Sequence, residues 1–229
     1  MELTRKTIAK VIVAAFLLNL VVMGAGAWFA YQEAPPIPDE VVGPDGETVV
    51  TGAEVQDGKA AFQQYGLMNH GSILGNGAYY GEDYTAETLQ LKTQHMREYY
   101  ADAEYGAAYD DLDTGERSRV DALVREELDE SHDGGDTVEY SAAEAYAHER
   151  VRETYVERYH EGDRDRGVPV EMIGSEAEAE AFADFALWTA WFSHTDRPNA
   201  DHSYTNEWPY QPGAGNDATG SAMIWSVIA

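Results

Sequence analysis

The chain has 229 residues, 44% of them hydrophobic, which is enough for one ordinary core or a core plus one membrane helix. It has no cysteine, so disulfides, thiolate metal sites and covalent attachment of a c-type haem through C-x-x-C-H are excluded. Forty-two acidic against fifteen basic residues give a formal charge of −27, which disfavours nucleic-acid phosphates and anionic membrane surfaces as partners.

The first ten residues carry Arg5, Lys6 and Lys10, and the next twenty are almost wholly apolar, with Asn19 the one strongly polar residue. Twenty helical residues span roughly 30 Å, the thickness of a hydrocarbon core. Trp28 and Tyr31 fall at its far end, where amphipathic rings sit at a membrane interface. The basic flank places residues 1–10 in the cytoplasm, a transmembrane helix at 11–31 and the main domain outside the cell membrane. A cleaved signal peptide is the competing reading, because Ala25-Gly26-Ala27 resembles a cleavage site, but signal h-regions are usually shorter.

Pro35, Pro36 and Pro38 make residues 32–40 an extended spacer. Valine pairs on either side of Pro44-Asp45-Gly46 predict a small hairpin over 41–50. Val55, Ala60, Phe62 and Tyr65 follow in rough helical spacing. They lead into YGLMNHGSILGNGAYYGEDYT at 65–85, whose five glycines among large residues demand an irregular backbone path. Such a loop either meets a partner or is a tight turn stapling two helices. Thr85 is a candidate N-cap for a helix running to about Glu104.

Val120, Leu123, Val124 and Leu128 mark an amphipathic helix over 116–130, stopped by Gly134-Gly135. Ser141 with Glu144, and Ser175 with Glu178, have capping-box spacing. The first opens a helix with Ala147, Val151, Tyr155 and Tyr159 on one face. The second opens the most apolar of these helices, carrying Phe182, Phe185, Leu187, Trp188, Trp191 and Phe192, and Pro198 ends it. Residues 203–220 form an aromatic loop with Tyr204, Trp208 and Tyr210, and SAMIWSVIA at 221–229 starts a second apolar run. Nine residues cannot cross a bilayer, so the chain is expected to be cut within a further transmembrane helix. The fold class is mainly α: four or five helices and one hairpin.

YGLMNHGSILGNGAYYGEDYTAE at 65–87 resembles the outer segment of the large subunit of quinol-dependent nitric oxide reductases, of haloarchaeal type. Its GNGAYYGEDYT part is similar to the loop after the haem motif in the small cytochrome c subunit of two-subunit nitric oxide reductases. The Arg197-Pro198 turn, SYTNEWPYQPGAGN at 203–216 and the apolar start at Ser221 agree in order. The resemblance implies a cytochrome c-like helical domain without haem at 41–220, capping a catalytic membrane core that carries haem b, haem b3 and non-haem iron and takes electrons from quinol. It also implies that main-chain oxygens at Gly77 and Tyr79 contact a structural calcium, a hard cation suited to carbonyl ligands.

The seven histidines, His70, His95, His132, His148, His160, His194 and His202, all lie outside both apolar segments, so no intramembrane iron centre belongs to this chain. No H-E-x-x-H, Walker loop, G-x-S-x-G or EF-hand loop is present. His70 beside Met68 is read as packed or on the surface rather than as an axial pair. Asp110, Asp111 and Asp113 are read as a solvated turn, and Trp188 and Trp191 as core. The acidic excess, spread along the chain, is read as a surface adapted to high salt.

Overall fold

The computed structural model describes residues 4–32, 34–77, 81–129, 135–197, 200–217, 220 and 224. The chain divides into two units, Met1–Pro35 and Pro36–Ala229.

The first unit holds α1, Arg5–Gln32, none of whose residues is buried. Its mean hydropathy over the richest window is 2.3, and it is long and apolar enough to cross a membrane. The helix begins inside the basic flank, about two turns before the apolar run.

The second unit is a helical domain. Strands β1 (Glu40–Val42) and β2 (Thr48–Thr51) pair antiparallel around the Pro44-Asp45-Gly46 turn, as the valine pattern predicts. A third strand, β5 (Thr137–Glu139), pairs parallel with β1, giving the order β2-β1-β5. Val41, Val50 and Val138 are adjacent in that register and all buried, so one face of the small sheet belongs to the core. Three residues carry too little alternation to announce β5 in the sequence.

Helix α2 (Gly52–Gln64) opens on a reciprocal capping box between Thr51 and Glu54. It packs along α6 (Glu176–His194), and Gly58 sets the approach: a Cβ there would lie 1.8 Å from the Ala181 carbonyl oxygen. Helix α3 (Tyr84–Tyr105) crosses α5 (Ala142–Val156), and α4 (Thr114–Asp129) closes the other side of α3. Ser141 and Glu144 form the expected capping box of α5, and Ser175 caps α6 through the Glu178 amide. Beyond α5 the chain widens into a π-helical turn, Glu157–Gly162, which keeps Tyr155 and Tyr159 both buried.

Two details depart from the sequence reading. Asp83, not Thr85, is the N-cap of α3: its Oδ1 accepts from the Ala86 amide at 3.0 Å. Thr85, the second residue of the helix, is fully buried, and its hydroxyl donates to Thr189 Oγ1 of α6 at 3.1 Å. The last prolines of the spacer are docked rather than free, since the Pro36 carbonyl accepts from Trp188 Nε1 at 2.9 Å and Pro38 is buried. Residue Gly134 of the expected stop of α4, and Pro198, lie outside the described residues, as does most of the second apolar run.

The interior between α2, α3, α5 and α6 is filled by rings. Phe182 lies 5.2 Å from both Tyr84 and Tyr155, 5.4 Å from Tyr159 and 6.0 Å from Phe62.

Candidate functional site

The two motif-bearing loops of the sequence meet on one side of the helical domain. The glycine loop leaves α2 through a left-handed Gly66, makes a short 3-10 turn at Leu67–Asn69 and then a two-residue ribbon, β3 (Ser72–Ile73) with β4 (Asn76–Gly77). Leu74 and Gly75 form its tip, both at positive φ (53° and 74°), the requirement of a tight hairpin of this hand. Gly77 is needed for a different reason: a Cβ there would stand 2.5 Å from the Gly71 carbonyl oxygen.

Asp83 organises this loop. Its Oδ2 accepts from Ser72 Oγ at 2.6 Å and from the Gly75 amide at 2.7 Å, while Oδ1 caps α3. One carboxylate thus holds both the ribbon and the helix start. The ring of Trp208 lies beside Gly75, 3.7 Å from where a Cβ would sit, and brings in the second loop.

That aromatic loop is fastened to the end of α6. Asn216 Nδ2 donates to the Ser193 carbonyl at 2.9 Å, and Thr205 Oγ1 lies 3.2 Å from the same oxygen while donating to the Trp208 carbonyl at 2.6 Å. Ser203 and Glu207 bond reciprocally, the Ser203 amide to Glu207 Oε1 at 2.8 Å and the Glu207 amide to Ser203 Oγ at 2.9 Å. The Trp208–Pro209 peptide is cis. Tyr210 in this loop and Met68 in the glycine loop are left more than half exposed, at 68% and 51%.

Behind the glycine loop, Glu82 and Glu87 share two arginines. Arg158 Nη1 lies 3.1 Å from Glu82 and 2.6 Å from Glu87, and Arg166 Nη1 bonds Glu82 and stands 3.0 Å from Glu87. Burial, reinforced by the hydrogen bond to Glu82 and opposed by Arg158, pushes the Glu87 carboxyl up to about 7. A carboxyl raised in the folded state adds stability that is full below its unfolded value near 4.5 and is lost as pH rises through about 7. At 1.36 kcal/mol per unit, the wild-type domain should lose up to about 3 kcal/mol across that window, and Glu87→Gln should flatten it. Urea unfolding followed at stepped pH checks this; equal slopes in both proteins would contradict it.

Of the expected calcium pair, Gly77 is an exposed ribbon residue and Tyr79 lies outside the described residues. Among the described residues no three His, Asp or Glu side chains are grouped to hold a metal ion, and both Asp83 oxygens are committed to protein donors. His70 and Met68 are exposed, as a surface reading requires. Asp113 is used locally, its Oδ1 accepting from the Gly115 and Glu116 amides. Trp191 is core and Trp188 packs against it.

The interior of the helical domain is filled by its own side chains. The centre of the helix packing is occupied by the rings around Phe182. The cavity lined by Pro38, Tyr140, His148, Trp188 and their neighbours has a volume of about 20 Å³, while the open clefts of about 440 to 490 Å³ on the helical domain are lined largely by charged residues.

Sequence reasoning missed the buried charges: Lys92 with Glu144 at 2.8 Å, and His148 with Asp184 and Arg152. Their partners are 52, 36 and 32 residues apart, so no local motif joins them. The available signal was position: Lys92 falls between Leu89 and Met96 on the apolar face of α3.

Together these features define a mainly α, cytochrome c-like domain that follows an apolar helix and carries two interlocked loops. Residues 38–210 match the family of the NorB cytochrome c-like domain of nitric oxide reductase. The match covers most of the chain, which therefore belongs to that family and is a nitric oxide reductase large-subunit-like protein. No curated protein matches it.

Proposed function

We propose that the chain is the N-terminal anchor and outer domain of a quinol-dependent nitric oxide reductase, scaffolding a reaction carried out in a membrane core. The observation that carries this reading is the family match over 38–210 in a chain with no cysteine and no histidine in its apolar segments. In the intact enzyme, two NO are reduced to N₂O, with electrons from quinol, at haem b, haem b3 and non-haem iron held by the core. The helical domain caps that core, and the joined glycine and aromatic loops, with Met68 and Tyr210 exposed, are the surface we assign to the contact. Calcium at the Gly77 and Tyr79 main chain is then completed by residues of the core.

Helix α1 sits in lipid with Arg5, Lys6 and Lys10 on the cytoplasmic side, and the helical domain lies outside the cell. The charge of −27 is an adaptation to high salt, so circular dichroism of the chain should show structure lost as salt is removed; an unchanged spectrum would contradict that.

The test of function is co-expression with the haem-bearing membrane segment of such a reductase. The chain should co-purify with it, and NO consumption should appear in the complex and be absent from the chain alone. A chain that fails to associate is a free-standing anchored module, and the proposal falls.

A further inference from the structure

The second buried charge cluster ends in an atom that lacks a partner. Asp184, 2% exposed in α6, accepts a bidentate pair from Arg152, Nε to Oδ1 at 2.7 Å and Nη2 to Oδ2 at 2.9 Å. The same Oδ1 faces His148 Nε2 at 2.8 Å. A carboxylate gripped by a guanidinium accepts and does not donate, so the hydrogen on that bond is carried by His148. Nε2 is therefore the protonated ring nitrogen.

Burial lowers the His148 pKa, with the Asp184 bond and charge opposing and Arg152 and Lys92 adding to the lowering. The ring is then neutral, and a neutral ring protonated on Nε2 presents a lone pair on Nδ1. Nδ1 is buried and has no hydrogen-bond partner among the described residues. A buried acceptor left unmade costs about 1–3 kcal/mol.

His148 also lines the cavity between the small sheet and α6, with Asp184, Tyr140, Trp188 and the valines of the sheet. Its volume of about 20 Å³ can be compared with the roughly 10–15 Å³ that one water requires. Anything larger than water is excluded by size, and an ion is excluded by the apolar remainder of the wall. One polar group besides Nδ1, the Tyr140 hydroxyl, belongs to a lining residue on this side of the ring and brings the partners to two, within the two to four that a buried water uses.

We infer that this cavity is a binding site for a single water molecule, which donates to His148 Nδ1 and ends the chain Arg152–Asp184–His148. The water joins α5 to the wall formed by the sheet, so a polar line runs from the half-buried Arg152 into the apolar core without an open end. Nothing in this inference depends on the reductase assignment.

A crystal structure of the full chain in detergent, at a resolution that shows ordered water, is the direct test. It should show one isolated density peak within about 3.2 Å of His148 Nδ1. An empty cavity, or a peak bonded elsewhere and not to Nδ1, would overturn the inference. Nitrogen NMR of the imidazole is an independent measurement on the unmodified chain: Nε2 should be protonated and Nδ1 should show the shift of a hydrogen-bonded acceptor. A ring protonated on Nδ1, or one with the shift of a free lone pair, also overturns it. In His148→Phe the peak should be lost, and its persistence would show that His148 does not hold it.

Discussion

Replacing Lys92 with methionine should destabilise the helical domain by about 3–5 kcal/mol, because it leaves Glu144 as an unpaired charge in a dry interior. Lys92 Nζ is 2.8 Å from Glu144 Oε1, with side chains 1% and 2% exposed, and the pair joins α3 to α5. Burial is the largest influence and pulls the lysine pKa down, but the charge and hydrogen bond of Glu144, with Tyr140 and Glu127, together outweigh it and the net direction is up. The ammonium also lies 4.7 Å from the centre of the Tyr140 ring. Besides bonding each other, the ammonium faces this ring and the carboxylate accepts from the Ser141 amide. Against a total stability of about 5–15 kcal/mol, the single change brings the domain near its limit.

The double variant Lys92→Met with Glu144→Gln separates pair energy from packing. Glutamine keeps an oxygen to accept from the Ser141 amide, the bond that Glu144 Oε2 makes at 3.2 Å, so the cap of α5 survives. Neutralising both partners removes the stranded charge, and the double variant should be more stable than Lys92→Met alone. Urea unfolding of the wild type, the two single variants and the double variant decides it. Losses that simply add would mean the pair is not coupled and the interior is wetter than its burial indicates.

Phe182→Ala should cost a similar amount, about 3–5 kcal/mol, for a different physical reason. Phe182 is fully buried on α6, and its ring touches those of Tyr84 from α3, Tyr155 from α5, Tyr159 from the π turn and Phe62 from α2. Truncation opens a void at the junction of four elements, none of which can move into it without disturbing the others. Tyr84 is tied to the Leu67 carbonyl at 3.1 Å and Tyr155 to Thr88 at 2.6 Å, so their rings are held by hydrogen bonds as well as packing. Phe182→Leu, which keeps most of the volume, should lose much less. Near-ultraviolet circular dichroism during unfolding reports on these rings; a cost of about 1 kcal/mol or less for the alanine variant would show that the site collapses freely.

The parts of the fold read correctly from sequence were those fixed by neighbours in the chain. Capping boxes at Ser141, the valine hairpin and the apolar helices rest on contacts within a few residues. Strand β5 was illegible because its pairing with β1 spans almost a hundred residues of chain and its own pattern is one buried valine between two exposed residues. The start of α3 was misplaced because Thr85 and Asp83 are both good caps, and only the fold decides which oxygen is left to face the helix end and which faces Thr189.

The candidate site divides in the same way. Its two loops stood out by composition, and their family pattern was readable from the order of motifs. Their meeting at Gly75 and Trp208, and the use of Asp83 to tie the ribbon to α3, are tertiary facts with no local signature. The buried ionic clusters were hidden by the strong acidity of the chain, which makes each charged residue look like part of a solvated surface.

In the role we propose, this chain supports iron chemistry without holding iron itself. An absorption spectrum of the full chain, purified from cells that make haem, tests it most directly. Only the near-ultraviolet band of the tyrosines and tryptophans is expected, whereas a Soret band that stays with the protein through purification would contradict the claim.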